Sequence, residues 1–235
     1  MKNQLAKVKN IRKLSQAYES LAQRDINIPR MGLISGFSGA GKSQAIGWLI
    51  SQVDGVLVRA NACWTVSSML AAIVVEIGTT PVSRNALMLK QIVDSLAASR
   101  RPLIIDECDY LLRDPRMVET LRDIHDLAGV PVIMVGMEGI EKKLAHRKQL
   151  SRRISQFIEF APLDLEDAET LAETVCEVAV APDLLQKIHK DARGSIGLMI
   201  VGLAQVEALA KTQQWNVINC QQWGNRKLFL SAKVG

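Results

Sequence analysis

The sequence predicts an α/β fold, with a parallel five-stranded sheet flanked by helices and then a small helical domain. Three observations carry that expectation. A glycine-rich loop, GFSGAGKS at residues 36–43, lies between an apolar run and a helical pattern. A second apolar run, LIIDE at residues 103–107, ends in two acids. Strand-like and helix-like segments alternate as far as Pro162, after which only helical patterns follow.

Residues 4–23 carry Leu5, Val8, Ile11 and Leu14 at spacings of three, then Tyr18 and Leu21, which is the stripe of an amphipathic helix. Residues 31–35 form an apolar strand running into the glycine-rich turn, and residues 45–50 continue as a helix. Residues 56–60 read as a second strand. Residues 65–77 read as a helix opened by a threonine cap and closed at Gly78. A further helix at 86–99 offers Leu87, Ile92, Val93 and Leu96 as its buried side. Residues 102–106, 130–135 and 157–161 supply the remaining strands, with a helix at 118–127 between the third and fourth. Beyond Pro162 come helices at 165–178, 183–192 and 197–211. The division expected is a basic helix or arm at 1–26, a nucleotide-binding α/β domain at 27–161 and a helical lid at 162–235. The last stretch, 223–235, fits a short strand or an arm.

At 235 residues the chain is long enough for one α/β core and a small appended domain. Its 48% hydrophobic and 23% charged residues fall in the ordinary globular range, so most of it is expected to fold around a core. Cys63, Cys108, Cys176 and Cys220 are scattered without a C-x-x-C pair, and the histidines do not gather near them. Neither a zinc site nor a disulfide framework is indicated, and reduced thiols are expected. The N-terminus lacks an apolar signal core, and no run approaches the roughly 18 apolar residues of a membrane span. A cytoplasmic protein with no membrane partner is the expectation. A formal charge of +5 modestly favours a polyanionic partner. Lys2, Lys7, Lys9, Arg12 and Lys13 form a basic run with no acid before Glu19, which a solvated helix face explains equally well.

GFSGAGKS matches G-x-x-x-x-G-K-S/T, in which glycines let successive N–H groups turn toward phosphates and the following helix adds its positive end. The cradle comprises Gly36, Phe37, Ser38, Gly39, Ala40, Gly41, Lys42 and Ser43. Lys42 is expected on the β- and γ-phosphate oxygens and the Ser43 hydroxyl on Mg²⁺. In LIIDE, Asp106 is carried to the same end of the sheet, where it completes the nucleotide and metal site, and Glu107 is placed to polarise an attacking water. A buried strand that merely ends in two acids would explain LIIDE alone, but not LIIDE beside a phosphate loop. After the fourth strand, Glu138 is the polar candidate for a γ-phosphate sensor. Arg152 and Arg153 precede the fifth strand, where one subunit can reach a neighbour's nucleotide and stabilise the transferred phosphoryl group in trans. Ordinary surface arginines are the alternative.

With these residues in place the chain resembles AAA+ ATPases of the transposition-regulator group: the B protein of Mu-like phages and related target-selection ATPases of bacterial transposons. The resemblance runs over residues 8–209, through the upstream helix, GFSGAGKS, the turn RANAC, LIIDECDYL, VIMVGMEGI and LSRRI. It implies an AAA+ P-loop fold with a helical lid, ATP and Mg²⁺ as cofactors, and hydrolysis of ATP to ADP and phosphate. It also implies ATP-dependent assembly with itself, as a ring or helical filament, on double-stranded DNA without sequence specificity. Target-site choice and stimulation of a transposase, in a bacterial or phage-infected cytoplasm, complete the implication. The phage Mu protein carries a helix-turn-helix domain ahead of its core, whereas about thirty residues precede the first strand here, room for an arm. The lid motif reads Gly194-Ser195-Ile196-Gly197, with glycine where the family's sensor arginine falls, which points to slow hydrolysis or a different coupling to lid movement, while the arginine supplied in trans makes hydrolysis assembly-dependent.

For DNA, the basic loop residues Arg84, Arg113, Arg116, Lys142, Lys143, Arg147 and Lys148 are the candidates, since phosphate contacts need only cations at loose spacing. Two other functions fit the core motifs. A protein-remodelling or secretion-associated AAA+ ATPase would show no DNA-stimulated turnover. A P-loop kinase acting on a small molecule would leave Glu107 and the helical lid without a role.

Overall fold

Short aliphatic runs, VLVR, LIID and VIMV among them, build the sheet, and helices with one apolar side cover it. The computed structural model describes residues 1–25 and 27–229. The chain enters through helix α1 (Lys9–Ala22) and strand β1 (Met31–Gly36), then α2 (Lys42–Val53), β2 (Val56–Arg59), α3 (Val66–Glu76) and α4 (Asn85–Ser99). Strand β3 (Leu103–Asp106) runs into a 3-10 helix (Cys108–Arg113), followed by α5 (Pro115–Ala128), β4 (Val132–Val135), α6 (Ile140–Ala145), α7 (Lys148–Ser151) and β5 (Ile154–Phe160). Then come α8 (Leu165–Val175), β6 (Ala179–Val180), α9 (Pro182–Ala192), α10 (Ile196–Thr212), β7 (Val217–Ile218) and α11 (Cys220–Trp223). Contacts divide the chain into two units, Lys13–Phe37 with Lys42–Phe160, and Met1–Arg12 with Ser38–Gly41 and Ala161–Gly235.

The first of these units holds the parallel five-stranded sheet, in the order β2-β3-β4-β1-β5. Every residue of β3 and β4 is buried, as expected of parallel strands covered on both faces. Met31, Leu33, Val58, Ile105, Val132 and Met134 point to the face packed by α3, α4 and α5. On the opposite face Gly32 lies against Leu21 of α1 and Ile133 of β4. Met31 and Leu103 both stand level with Val132, so β1, β4 and β3 start together and their carboxyl ends share one edge.

Caps set several helix starts, as expected at Thr65 and earlier than expected at Pro115. Helix α3 starts after a reciprocal Thr65–Ser68 capping box. Helix α5 begins at Pro115 rather than at 118, because Asp114 accepts the Arg116 amide and proline suits the first helical position. In α4 the buried residues are Met88, Ile92 and Leu96, while Leu87, expected inside, is 49% exposed. The 3-10 helix, α6 and α7 have no counterpart in the sequence expectation. Arg113, Arg116, Lys142, Lys143 and Lys148 therefore stand on helical turns, not in loops.

In the second unit the helices α8, α9 and α10 dominate, α8 and α10 capped by the side chains of Asp164 and Ser195 and α9 opened by Pro182. A two-residue parallel pair, β6 with β7, adds strand at 179–180 and 217–218, where the sequence expectation has none. Within this unit the chain before Lys9 is not helical, contrary to the expected start at residue 4. Ala6 and Val8 are buried, the Lys2 amide donates to Val175 O at 2.7 Å, and the Lys9 amide donates to Asp167 Oδ1 at 2.8 Å, an external cap that sets where α1 begins. The Lys9 ammonium pairs with Asp164 and Glu166, so one cation of the basic run is already partnered. Of the last stretch, Gly224 to Phe229 are neither strand nor helix, and residues 230–235 lie outside the described residues.

Ile133 is 1% exposed at the centre of the middle strand. Ile133→Ala should cost about 2–5 kcal/mol. Urea unfolding of the two proteins side by side measures it, with a midpoint shift to lower urea expected.

Candidate nucleotide-binding site

The carboxyl edge of the sheet brings the sequence motifs together. Helix α2 starts at Lys42, directly after the glycine-rich loop, and the Ser43 hydroxyl in its first turn donates to Asp106 Oδ2 at 3.1 Å. Lys42 Nζ donates to Gly36 O at 2.6 Å and Phe37 O at 2.9 Å, carbonyls of the loop that precedes it. Burial lowers the Lys42 pKa, against the opposing pull of Glu107, Asp106 and Asp109. Two hard oxygens, the Ser43 hydroxyl and the Asp106 carboxylate, therefore face each other beside a lysine, a donor set that fits Mg²⁺.

Asp106 is buried, and its other oxygen, Oδ1, accepts the Glu107 amide at 2.9 Å. Glu107 itself has φ 57° and ψ 36°, in the left-handed region. A non-glycine residue in that region is strained, and such outliers gather at functional sites. Its carboxylate stands at the end of β3, partly exposed.

The turn after β4 is tied to the same edge. Gly136 N donates to Ile34 O at 2.9 Å and Glu138 N to Gly36 O at 3.1 Å. Asp109 accepts the Met137 amide at 2.6 Å and pairs with Lys143 at 3.4 Å. The Glu138 side chain, the sensor candidate, is exposed, and its backbone amide makes the contact to the loop.

The loop tip, Ser38–Gly41, belongs with the helical unit. Gly39 and Gly41 have φ of 86° and 83°, which glycine alone adopts without penalty. Ser195, the cap of α10, donates to Gly39 O at 3.3 Å, and the Gly197 amide donates to the same carbonyl at 3.3 Å. Gly197 thus contributes a backbone group to the loop tip.

Arg152 and Arg153 are at the opposite, amino edge of the sheet. Ile154 pairs with Met31, the first residue of β1, and five residue steps separate Met31 from Gly36, about 17 Å at 3.3 Å per step. Arg153 makes a fork with Asp126, Nε to Oδ1 at 3.0 Å and a terminal nitrogen to Oδ2 at 3.0 Å. Arg152 is exposed, and its guanidinium makes no hydrogen bond among the described residues. His125 Nε2 accepts the Arg30 amide at 2.9 Å, so the neutral ring carries its proton on Nδ1 and donates to Asp126 at 3.0 Å. Burial holds the His125 pKa below the ordinary histidine value, against the raising effect of Asp126.

The basic candidates differ in how far they are engaged. Arg116 forks onto Asp114, with contacts from 2.8 Å. The Arg113 guanidinium lies 5.1 Å from the centre of the Tyr110 ring. Arg84 and Lys142 are exposed. Sequence reasoning passed over Arg59, Asp109 and Asp126. Arg59 carried a signal: VLVR and LIID are short apolar strands ending in opposite charges.

A sequence model of the AAA domain matches residues 27–144, half of the chain. No curated protein matches it. Among solved structures the chain is similar to the Aeropyrum pernix ORC2 protein in its ADPNP–ADP complexes, with a TM-score of 0.72 and 16% identity over 94% of this chain and 68% of that one. It is similar to the Aeropyrum pernix ORC1 protein in complex with DNA, with a TM-score of 0.62 and 18% identity over 91% and 62% of the two chains. It is also similar to the Thermotoga maritima RuvB Holliday junction branch migration motor, with a TM-score of 0.60 and 19% identity over 91% and 66%. At these identities the likeness is one of fold, and the chain spans about two thirds of each of those proteins. Among the described residues no helix is long and apolar enough to cross a membrane.

The neutral form of His125 is favoured in the folded chain, where its pKa is lowered. Stability from that neutrality is present above the unfolded value of about 6.5 and is lost as pH falls below it. The thermal midpoint should therefore drop between about pH 7.5 and about pH 5, and His125→Gln should flatten the drop. An identical slope in both proteins would remove His125 as its cause.

Proposed function

Because the chain belongs to the AAA domain family, we propose that it is an ATP-dependent, sequence-nonspecific DNA-binding ATPase that oligomerises on duplex DNA and regulates transposition. The observation that carries the nucleotide half is the Ser43–Asp106 hydrogen bond at 3.1 Å, which unites the phosphate loop and the acidic strand end at one edge of the sheet. For the DNA half, support comes from the transposition-regulator resemblance and from the exposed Arg84, Arg113 and Lys142. The ORC1 neighbour's complex with DNA adds to it.

In this mechanism Gly36 to Ser43 wrap the triphosphate with their amides, and Lys42 leaves the Gly36 and Phe37 carbonyls for the β- and γ-phosphate oxygens. Mg²⁺, held by Ser43 and Asp106, would supply charge neutralisation on the phosphates. Glu107 orients a water and accepts its proton as the water oxygen bonds to the γ-phosphorus and the bond to the ADP oxygen breaks. The products are ADP and phosphate.

A subunit's own arginines at the amino edge are about 17 Å from its own loop by strand rise, so they serve a neighbouring subunit. Arg152, without a partner among the described residues, is the freer of the two, whereas Arg153 must first release Asp126. ATP then bridges subunits, the assembly coats DNA, and hydrolysis dissolves it. The domain scheme proposed for this cycle is an arm at 1–26, the nucleotide domain at 27–161 and a lid at 162–235, with a transposase as the downstream partner in the cytoplasm.

The test is ATP hydrolysis with and without duplex DNA at two salt concentrations, with electron microscopy of the mixture. DNA-stimulated, salt-sensitive turnover and filaments are expected. Lys42→Ala should abolish ATP-dependent DNA binding, while Glu107→Gln should bind ATP and hold persistent filaments. Normal hydrolysis by Glu107→Gln overturns its assignment, and turnover indifferent to DNA turns the reading toward protein remodelling.

A further inference from the structure

Strands β2 and β3 end level, with Arg59 opposite Asp106 in the parallel register. The proposed hydrolysis uses Asp106 and leaves Arg59 without a part. Yet the Arg59 Nε and a terminal nitrogen both donate to Asp106 Oδ2, at 3.3 and 3.2 Å. That is the oxygen which accepts the Ser43 hydroxyl at 3.1 Å, while Oδ1 takes the Glu107 amide at 2.9 Å. Three donors on one carboxylate oxygen leave it no free lone pair for a metal.

The two ends of the pair differ in exposure. The Asp106 side chain is 5% exposed and that of Arg59 is 65% exposed. A buried carboxylate without a countercharge is costly, so something cationic must stay beside Asp106. The arginine end is in water and free to turn away without leaving a buried charge of its own.

We propose that Arg59 is a built-in counter-cation for Asp106, which a divalent metal displaces when it enters the nucleotide site. The inference rests on the reading of Ser43 and Asp106 as the metal-holding pair. A metal at Oδ2, direct or through water, competes for the lone pairs that face Arg59, and the two positive groups repel one another there. Arrival of the metal with the nucleotide therefore turns the guanidinium out, and loss of the metal draws it back. Asp106 keeps a positive partner in either state. Arg59 thus sets how much Mg²⁺ the site needs, as a positioning residue and not a reacting one.

The experiment is equilibrium binding of a fluorescent ADP analogue, titrated with Mg²⁺, for the full chain and for Arg59→Gln and Arg59→Lys. Arg59→Gln should lower the Mg²⁺ midpoint about tenfold. Arg59→Lys, which keeps the charge, should stay within about threefold of the unaltered chain. A midpoint for Arg59→Gln equal to or above that of the unaltered chain overturns the proposal. So does a loss of metal-free affinity in excess EDTA, which would make Arg59 a phosphate ligand instead. In the unaltered protein, NMR supplies an arm independent of folding in the variants: exchange of the Arg59 Nε proton with water should speed up when Mg²⁺ and ADP are added together, and unchanged exchange sinks the idea. A chain that binds no nucleotide at all overturns the proposed function along with this inference, whereas nucleotide binding with a Mg²⁺ midpoint indifferent to residue 59 overturns the inference alone.

Discussion

Because Met31 and Leu103 both stand level with Val132, three parallel strands deliver their carboxyl ends to one edge, and side chains more than sixty positions apart in the chain meet there. Moving β3 by one residue in this register would turn Asp106 to the other face of the sheet and break the bond to Ser43. The register is held by burial, since β3 and β4 are aliphatic on both faces and have no solvent side to slip toward. The order β2-β3-β4-β1-β5 also sets β4 between the loop strand and the acidic strand, so the turn after β4 is hydrogen-bonded to both neighbours, to Gly36 O directly and to Asp109 through the Met137 amide.

Charge is distributed unequally between the two edges of this sheet. At the carboxyl edge Lys42, Arg59 and Lys143 alternate with Asp106, Glu107 and Asp109, every one within a short reach of an opposite sign. At the amino edge Arg100, Arg153 and Asp126 line a cavity of about 640 Å³. The first edge has the balance of a site built to exchange one cation for another. The second pairs its cations off, Arg153 with Asp126 and Arg101 with Asp54.

Much of this was legible in the chain, and the reasons are physical. Gly36 to Ser43 declare themselves because a phosphate cradle needs glycine at fixed steps, and Asp106 and Glu107 because a buried strand has little other cause to end in acids. Strand existence followed from aliphatic runs. Boundaries were less legible where a distant group supplies the cap: nothing near Lys9 announces that Asp167, far along the chain, starts α1. Arg153 looked like a free surface cation because its partner Asp126 lies on another element, and only the fold brings them to 3.0 Å. Arg59 was hidden for the same reason, since a strand-end arginine reads as solvent-facing until its neighbour strand is known. The pair β6–β7 spans two residues on each side, too short to leave a period.

Glu107 sits where the backbone would prefer glycine or asparagine, with φ at 57°. A population of this chain drifting under selection for thermal endurance alone would be drawn to replace it early, because a residue at ease in that conformation relieves strain at once. A long acidic side chain at such a spot therefore costs the fold strain that a part in turnover would offset. Random mutagenesis scored by endurance and then by turnover should part company at this codon sooner than at the buried aliphatic ones, where what favours folding and what favours chemistry coincide.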